Sequence, residues 1–152
     1  MHNEEVGLYR RILINIIDMK EELSVRVRFN ETDSMRYLYH GNYACYYHAC
    51  RTELLRKIGL CDKELELNGI ILPVIELYSK YLKPAYYDDQ LVVKTVLSRF
   101  SACKIFFEHE IFNEEEVIIN RGSTVVAYVN KSTRQPIKIP EEVKQRLNFL
   151  TQ

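Results

Sequence analysis

The sequence predicts a single α+β domain in which one long helix covers one face of a five-stranded antiparallel sheet. Apolar and polar residues alternate from Leu23 to Asn30, a period of two that indicates a half-buried strand. One apolar stripe over four helical turns, between Tyr43 and Ile58, indicates a single long helix. Four further strand patterns follow, joined by short turns, so neighbouring strands are expected to pair antiparallel. One helix of this length is enough to cover one face of such a sheet.

The long helix is defined by apolar residues that recur at helical spacing. Asn42 precedes the stripe and is a candidate N-cap, and Gly59 follows it as a C′ glycine would. The stretch from Cys61 to Asn68 predicts a second, short helix. The stripe itself consists of Tyr43, Tyr46, Tyr47, Cys50, Leu54 and Ile58.

The pattern of the remaining sequence predicts mostly strands. The first of them has one apolar face made of Ile71, Pro73, Ile75, Leu77 and Tyr81. The next two run from Leu91 to Leu97 and from Cys103 to Ile111, and His109 in the latter is expected to be a core histidine with satisfied hydrogen bonds. A long fifth strand runs from Val117 to Asn130 and has Gly122 as a candidate bulge or bend. A short helix is expected after Pro140.

Length and hydropathy favour one domain, assigned here to residues 19–152. The 152 residues fit a single core, and residues 1–18 are interpreted as an N-terminal extension of doubtful role. Arg10, Arg11 and Asp18 interrupt the apolar residues of that extension, and no small-residue cleavage site follows it. No apolar stretch reaches 18 residues, so no membrane insertion is expected, and a cytoplasmic location is predicted.

Charge and cysteine spacing exclude several classes of function. The 21 basic and 21 acidic side chains balance, which gives no electrostatic case for nucleic acid binding. The four cysteines form no C-x-x-C pair and no Cys/His cluster with zinc spacing. We therefore expect neither a metal nor a cofactor.

The segment from Glu31 to Gly41 holds the candidate catalytic residues. Asp33 lies in this irregular loop, seven residues before His40, which stands at the entrance of the long helix. A helix N-terminus offers unpaired N–H groups that can polarise a carbonyl and hold the oxyanion of its tetrahedral adduct. A carboxylate nearby could attack the same carbon or accept a proton from an attacking water. An acid in a loop before a helix is more commonly a turn residue, and that alternative stays open.

Short motifs spread along the chain carry a resemblance to a known family. They are Glu31-Thr32-Asp33, Tyr39-His40, Asn42-Tyr43, Tyr46-Tyr47, Arg51-Thr52-Glu53 and Leu55-Arg56, followed downstream by Pro84 to Leu91 and Ile139 to Val143. Together they resemble the 4-hydroxybenzoyl-CoA thioesterase-like hotdog proteins, particularly the acyl-CoA thioesterases associated with the Tol-Pal system. The resemblance covers about residues 22–150.

The resemblance implies a hotdog fold, in a homodimer or homotetramer whose active sites lie at the subunit interface. It implies hydrolysis of an acyl-CoA, with Asp33 as nucleophile or general base and His40 in a supporting polar role. The backbone N–H of His40 or Gly41 would be the oxyanion donor. Release of acyl groups from acyl carrier protein and non-catalytic binding of acyl-CoA remain alternatives. Candidate substrate-binding residues are Tyr39, Tyr43 and His48.

Three positions depart from the pattern of this family, and one of them is Cys50, which replaces an alanine. Arg36 stands in the loop where many relatives carry glycine. Its side chain could narrow the site or contact a CoA phosphate, but we expect it to point to solvent. His48 stands on the helix where relatives usually carry glutamate. A packing or hydrogen-bonding role is expected for it, with a modified active site as the alternative.

Overall fold

The computed structural model describes residues 19–148, and these form a five-stranded antiparallel sheet with one long helix packed on one face. The strand order is β1-β4-β5-β6-β3, and β2 pairs with β7 in a separate two-stranded sheet. The predicted fold class is confirmed. The strands are β1 (Lys20–Arg26), β2 (Ile70–Ile71), β3 (Val74–Tyr81), β4 (Gln90–Phe100), β5 (Lys104–Phe112), β6 (Ile118–Ala127) and β7 (Val129–Asn130). The helices are α1 (Asn42–Lys57), α2 (Asp62–Leu67) and α3 (Glu141–Asn148), with a 3-10 turn at Phe29–Glu31.

Helix α1 buries the stripe that its sequence predicted. Tyr47, Cys50 and Leu54 are fully inaccessible to solvent, and Ile58 is half-buried at the end of the stripe. Gly59 has a φ of +77°, the left-handed conformation expected of a C′ glycine. Tyr47 and Cys50 belong to the apolar cluster under the first half of the helix, and Leu54 belongs to a second cluster under its other half.

The predicted N-cap of α1 was wrong by one residue. Gly41 is the N-cap, and Asn42 is already the first helical residue. The Asn42 side chain instead donates from Nδ2 to the backbone oxygen of Glu31, at 2.9 Å. Asn42 therefore ties the helix entrance to the preceding loop.

Strands β4 and β5 supply the centre of the sheet, and their predicted inner faces are confirmed. Leu91, Val93, Thr95 and Leu97 alternate as buried residues along β4. On β5, Ile105, Phe107, His109 and Ile111 are buried in the same way, while Cys103 lies just before the strand and is only half-buried. Each large apolar side chain buried here contributes about 1.5–3 kcal/mol.

The first strand ends earlier than its alternation predicted. β1 stops at Arg26, and Phe29 lies in the 3-10 turn with 77% of its surface exposed. Val27 remains buried because its backbone pairs with the loop at Asp88 and Asp89, beyond the end of the strand. The alternation from Leu23 to Asn30 had put Phe29 on the buried face of the strand, and that prediction was wrong.

The strand predicted from Ile71 to Tyr81 is divided in two. Ile70–Ile71 pairs with β7, and β3 begins at Val74 after Pro73. The expected inner face is also half open, since Ile75 is 46% and Leu77 50% exposed. β3 lies at an edge of the sheet, so one row of its backbone polar groups has no partner strand among residues 19–148.

The predicted bulge at Gly122 is not observed. Gly122 pairs in regular register with Ser79 on β3 and with His109 on β5. A Cβ at this position would lie 2.5 Å from Cζ of Tyr47, so glycine makes room for the helix tyrosine to pack against β6. The predicted fifth strand also stops at Ala127, and the next two strand residues belong to β7.

A buried polar network joins α1 to the sheet beneath it. Arg51 donates from Nη1 to Thr124 Oγ1 at 3.2 Å, and the same hydroxyl lies 2.9 Å from His109 Nε2. The other ring nitrogen of His109 lies 2.9 Å from Thr95 Oγ1. The ring of Tyr47 stacks on His109 at 4.4 Å between centroids. His109 is therefore the satisfied core histidine that the sequence predicted.

The protonation of His109 is expected to make stability depend on pH. Burial, and then the positive charge of Arg51, lower the pKa of His109 to about 3 from an ordinary value of 6.5. The unfolded chain therefore binds a proton that the folded chain does not, and stability falls as the pH drops from 6.5 towards 3. The loss is about 1.4 kcal/mol per pH unit in this window.

Urea unfolding of the wild type and of His109→Gln at pH 7 and pH 4.5 measures this contribution. Glutamine can still hydrogen-bond to the two flanking threonines but does not titrate. The variant should lose less stability over this interval than the wild type does. Equal losses of stability in the two proteins would show that folding does not lower the pKa of His109.

Candidate active site

Asp33 lies at the start of a tight hairpin whose backbone holds its carboxylate in place. Its N–H donates to the oxygen of Tyr37 at 2.9 Å, and Thr32 bridges Leu38 on the other side. Oδ1 accepts hydrogen bonds from the N–H of Met35 at 2.9 Å and of Tyr37 at 3.2 Å. Within residues 19–148, no group donates to Oδ2. Oδ1 of Asp33 therefore stabilises the turn, while Oδ2 accepts no hydrogen bond from the described residues.

Arg36 occupies a left-handed position in this hairpin. Its φ is +66°, and its N–H donates to the oxygen of Asp33 at 2.9 Å. Glycine reaches this conformation without steric cost, which explains why glycine suits this position. The Arg36 side chain is exposed and forms no ion pair with any residue that the structure describes, as expected.

Replacing Arg36 with glycine is expected to raise the free energy of unfolding by about 0.5–1 kcal/mol. The substitution removes the steric cost of the left-handed backbone, and this gain exceeds the added entropy of the unfolded chain. Chemical denaturation measures the change. Arg134 has a φ of +60° in another exposed turn, so Arg134→Gly is the matched control and should also stabilise. Stabilisation at 134 with destabilisation at 36 would contradict this account of the Asp33 hairpin.

The entrance of α1 presents backbone N–H groups next to this hairpin. Tyr39 N–H donates to the oxygen of Glu31 and Asn42 N–H to that of Tyr39, at 2.8 and 2.9 Å. In contrast, the N–H groups of His40 and Gly41 donate to no acceptor in the described part of the chain. Helix N-termini leave such donors unpaired and carry a partial positive charge. These two N–H groups are therefore unpaired within residues 19–148.

Asp33 and His40 line the same cleft, which has a volume of about 260 Å³. Its floor and walls come from the hairpin, the helix entrance and the segment that follows β3. The lining residues are Asp33, Met35, Tyr37, Leu38, His40, Tyr43, Tyr81, Leu82, Lys83 and Pro84. The sequence pattern that joined Asp33 to the helix entrance is thus realised as one concave surface.

Of the three predicted substrate-binding residues, one lines the cleft and two lie outside it. Tyr43 lines the cleft, and burial raises its pKa to about 12, so its hydroxyl stays protonated and uncharged at neutral pH. Tyr39 does not line the cleft; it is 45% exposed, and its ring lies 4.3 Å from that of His40. His48 also lies outside the cleft, on an exposed part of α1.

His48 contacts the buried cation of the helix. Its Nδ1 accepts a hydrogen bond at 2.9 Å from Nη2 of Arg51, which requires that nitrogen to be unprotonated. Arg51 is only 5% exposed and forms no salt bridge with a carboxylate among the described residues. His48 therefore has a hydrogen-bonding role, as expected.

A larger groove of about 720 Å³ lies between β1 and α1 but lacks this chemistry. Its acid, Glu31, is occupied at Oε2 by the N–H of Arg28 at 2.8 Å and by the hydroxyl of Tyr46 at 2.9 Å. Arg26 in the same groove donates to the backbone oxygen of Asp88 at 2.7 Å. Since neither Asp33 nor His40 lines it, the smaller cleft is the better candidate for catalysis.

Residues 19–148 contain neither a membrane-spanning helix nor a cluster of metal ligands. No helix in that range is long and apolar enough to cross a membrane. No three side chains from His, Cys, Asp and Glu come together there as they would around a metal ion.

Sequence reasoning missed Tyr81 as part of the site. It lies at the end of β3, 41 residues after His40, and its hydroxyl donates to the backbone oxygen of His40 at 2.9 Å. Its strand pattern only placed it on an apolar face. No local signal distinguishes a tyrosine that reaches the helix entrance from one that packs in the core.

The fold is that of the hotdog proteins, and comparison with known proteins shows that the chain is a thioester hydrolase. Residues 27–147 match the Thioesterase-like superfamily. The chain therefore belongs to that family.

Individual relatives extend the comparison. The chain is 27% identical to the acyl-CoA thioester hydrolase YbgC of Escherichia coli O6:H1, over 78% of this chain and 89% of that protein. It is 32% identical to the chloroplastic acyl-acyl carrier protein thioesterase ATL3 of Arabidopsis thaliana, over 86% and 70%. The structure of the DHNA-CoA thioesterase from Staphylococcus aureus superposes with a TM-score of 0.81 at 30% identity, over 85% and 89%.

Proposed function

We propose that this protein is an acyl-CoA thioesterase that hydrolyses its substrate to a free carboxylic acid and CoA. One observation carries the proposal: Asp33 and His40, whose N–H is unpaired at the entrance of α1, line the same cleft. A carboxylate and a free N–H donor beside it are the parts that acyl transfer needs. The acyl-CoA activity of relatives such as YbgC supports this choice of substrate.

The reaction follows from the placement of these groups. The thioester oxygen accepts hydrogen bonds from the N–H groups of His40 and Gly41, which draws electron density from the carbonyl carbon. As general base, Asp33 takes a proton from water while the water oxygen attacks that carbon. The tetrahedral oxyanion then collapses and the C–S bond breaks. The CoA thiolate leaves with the proton that Asp33 had accepted, which restores the carboxylate.

Asp33 can also act as the nucleophile itself. Its open Oδ2 would attack the carbonyl carbon, expel the thiolate and form a mixed anhydride that water then hydrolyses. His40 lines the cleft and is proposed to give polar support in either route. Tyr43 supplies an uncharged wall for the acyl group.

We further propose that the active unit is a homodimer joined along β3. This edge strand is eight residues long and exposes apolar side chains, an arrangement that natural proteins avoid unless another chain covers it. The exposed residues are Val74, Ile75, Leu77, Tyr78 and Tyr81. Tyr81 belongs both to this surface and to the cleft, so the second subunit would complete the site. The 260 Å³ of one subunit falls below the range of about 300–1,000 Å³ typical of ligand pockets.

The cytoplasm is the proposed location. All four cysteines, Cys45, Cys50, Cys61 and Cys103, are free thiols, as is usual in a reducing compartment.

Thiol release from a panel of acyl-CoAs tests the proposed activity. The panel should include short, medium, long and aromatic acyl groups, each offered on CoA and on acyl carrier protein. The carrier protein arm addresses the alternative that the relative ATL3 favours. We expect faster release from at least one CoA thioester than from its carrier-protein counterpart. Preference for the carrier protein would replace the proposed substrate, and binding without release would make the chain a non-catalytic acyl-CoA-binding protein.

A further inference from the structure

The cleft of the candidate active site has one lysine among its lining residues. Lys83 lies in the segment that follows β3, and its side chain is exposed at the cleft. It forms no salt bridge with Asp33 or with any other carboxylate in residues 19–148. Apart from these two residues and His40, the side chains that line the cleft are uncharged. The cleft therefore combines the proposed base with a cation that no described acid neutralises.

The backbone on both sides of Lys83 is anchored. Before it, the N–H groups of Leu82 and of Lys83 itself donate to the oxygen of Ile119 on β6, at 2.9 and 3.1 Å. After it, Ala85 is only 1% exposed, and its oxygen accepts a hydrogen bond at 2.7 Å from the N–H of Leu38, just beyond the hairpin that carries the proposed base. The lysine side chain thus starts from a fixed point beside the cleft.

An acyl-CoA offers two kinds of anion to such a cation. The phosphates of CoA lie at the far end of the pantetheine arm, about 15 Å from the sulfur when the arm is extended. With the thioester at Asp33, an extended arm carries these phosphates out of a cleft of about 260 Å³. A carboxylate on a short acyl group stays within it. The acyl group is therefore the part of the substrate that a cation in this cleft meets.

We propose that Lys83 binds a second carboxylate at the far end of a short acyl group, so that the preferred substrates are CoA thioesters of dicarboxylic acids. The inference rests on the proposed function and names the class of its substrate. A second carboxylate in the cleft is repelled by the negative charge of Asp33, and the ammonium group of Lys83 offsets that repulsion. The uncharged walls, which include Tyr43 and Leu82, pack against the methylene groups between the two ends.

Lys83→Met removes the charge and keeps a long, flexible side chain. Adipoyl-CoA and hexanoyl-CoA are the test substrates, since their acyl groups have the same number of carbons and only the first ends in a carboxylate. We expect the wild type to hydrolyse adipoyl-CoA with the higher kcat/KM. Lys83→Met should lower kcat/KM for adipoyl-CoA about tenfold, the effect of one charge-assisted hydrogen bond, and leave that for hexanoyl-CoA unchanged.

Two further variants control this comparison. Lys83→Arg retains a cation and should retain the preference for adipoyl-CoA. Lys63 is an exposed lysine on α2 that forms no ion pair within the described residues, so Lys63→Met should change neither rate. An equal loss for both substrates in Lys83→Met would overturn the proposal, because it would place the lysine against CoA or make it a support for Asp33. A preference for hexanoyl-CoA in the wild type and in Lys83→Met alike would also overturn it.

Binding measurements separate this inference from the function on which it rests. In analogues of the two substrates a methylene group replaces the thioester sulfur, and calorimetry gives their affinities without hydrolysis. The adipoyl analogue should bind the wild type, but not Lys83→Met, more tightly than the hexanoyl analogue does. That result in a protein that releases no thiol from any acyl-CoA would overturn the proposed hydrolysis and leave the selectivity of Lys83 standing. Equal affinities of the wild type for the two analogues would overturn the role of Lys83, whether or not thiol is released.

Discussion

Asp33→Asn is expected to lower kcat for acyl-CoA hydrolysis by about a thousandfold, within the range of general acid–base contributions. Asparagine is isosteric with aspartate, and its Oδ1 can still accept from the N–H groups of Met35 and Tyr37. The hairpin should therefore keep its shape while the cleft loses its base or nucleophile. Steady-state thiol release measures the rate, and the unfolding midpoint should stay within a few degrees of the wild type.

Asp88→Asn is the matched control for this substitution. Asp88 also lies in a loop, has a φ of +70° that asparagine tolerates, and pairs only with the exposed Arg26. It should retain the wild-type rate. If Asp33→Asn kept more than a tenth of the activity, Asp33 would be a turn residue and the catalytic group would have to be sought elsewhere.

Leu77→Lys is expected to convert a dimer into a monomer and to reduce activity by more than tenfold. Leu77 is half exposed near the middle of β3, where a second copy would bury it, and a lysine there would place a charge in an apolar interface. Light scattering after size exclusion gives the mass of each protein. Thiol release measured on the same fractions connects that mass to function.

The same substitution at Leu67 is the control for the interface. Leu67 is 80% exposed on α2, away from β3, so Leu67→Lys should change neither mass nor rate. A dimeric Leu77→Lys protein would place the interface elsewhere. A fully active monomer would show that one subunit forms the whole site.

Sequence periodicity predicted the elements whose apolar faces are buried by the chain itself. The stripe of α1 and the alternation of β4 face the same core, so a period of 3.6 or two translates directly into burial. β3 shows that periodicity does not predict burial by the chain itself. Ile75 and Leu77 alternate like core residues, yet they are half exposed, because a periodic pattern does not say which molecule covers an apolar face. The prediction for Phe29 failed for a different reason: β1 ends at Arg26, and Phe29 is the first residue of a 3-10 turn.

The candidate site was predictable only where its parts are close in sequence. Asp33 and His40 are separated by seven residues, and their motif places both beside one cleft. Tyr81 lies at the end of the edge strand β3, and no spacing rule connects it to His40. The left-handed backbone of Arg36 was also invisible, since arginine gives no signal for a positive φ.

A crystal structure with a bound acyl-CoA analogue tests the central claim most directly. In the analogue, a methylene group replaces the thioester sulfur, so the carbonyl is kept but cannot be hydrolysed. We expect the ketone oxygen to lie within hydrogen-bonding distance of the N–H groups of His40 and Gly41, with the Asp33 carboxylate facing the carbonyl carbon. An analogue seated in the groove between β1 and α1, with its carbonyl remote from Asp33, would contradict it.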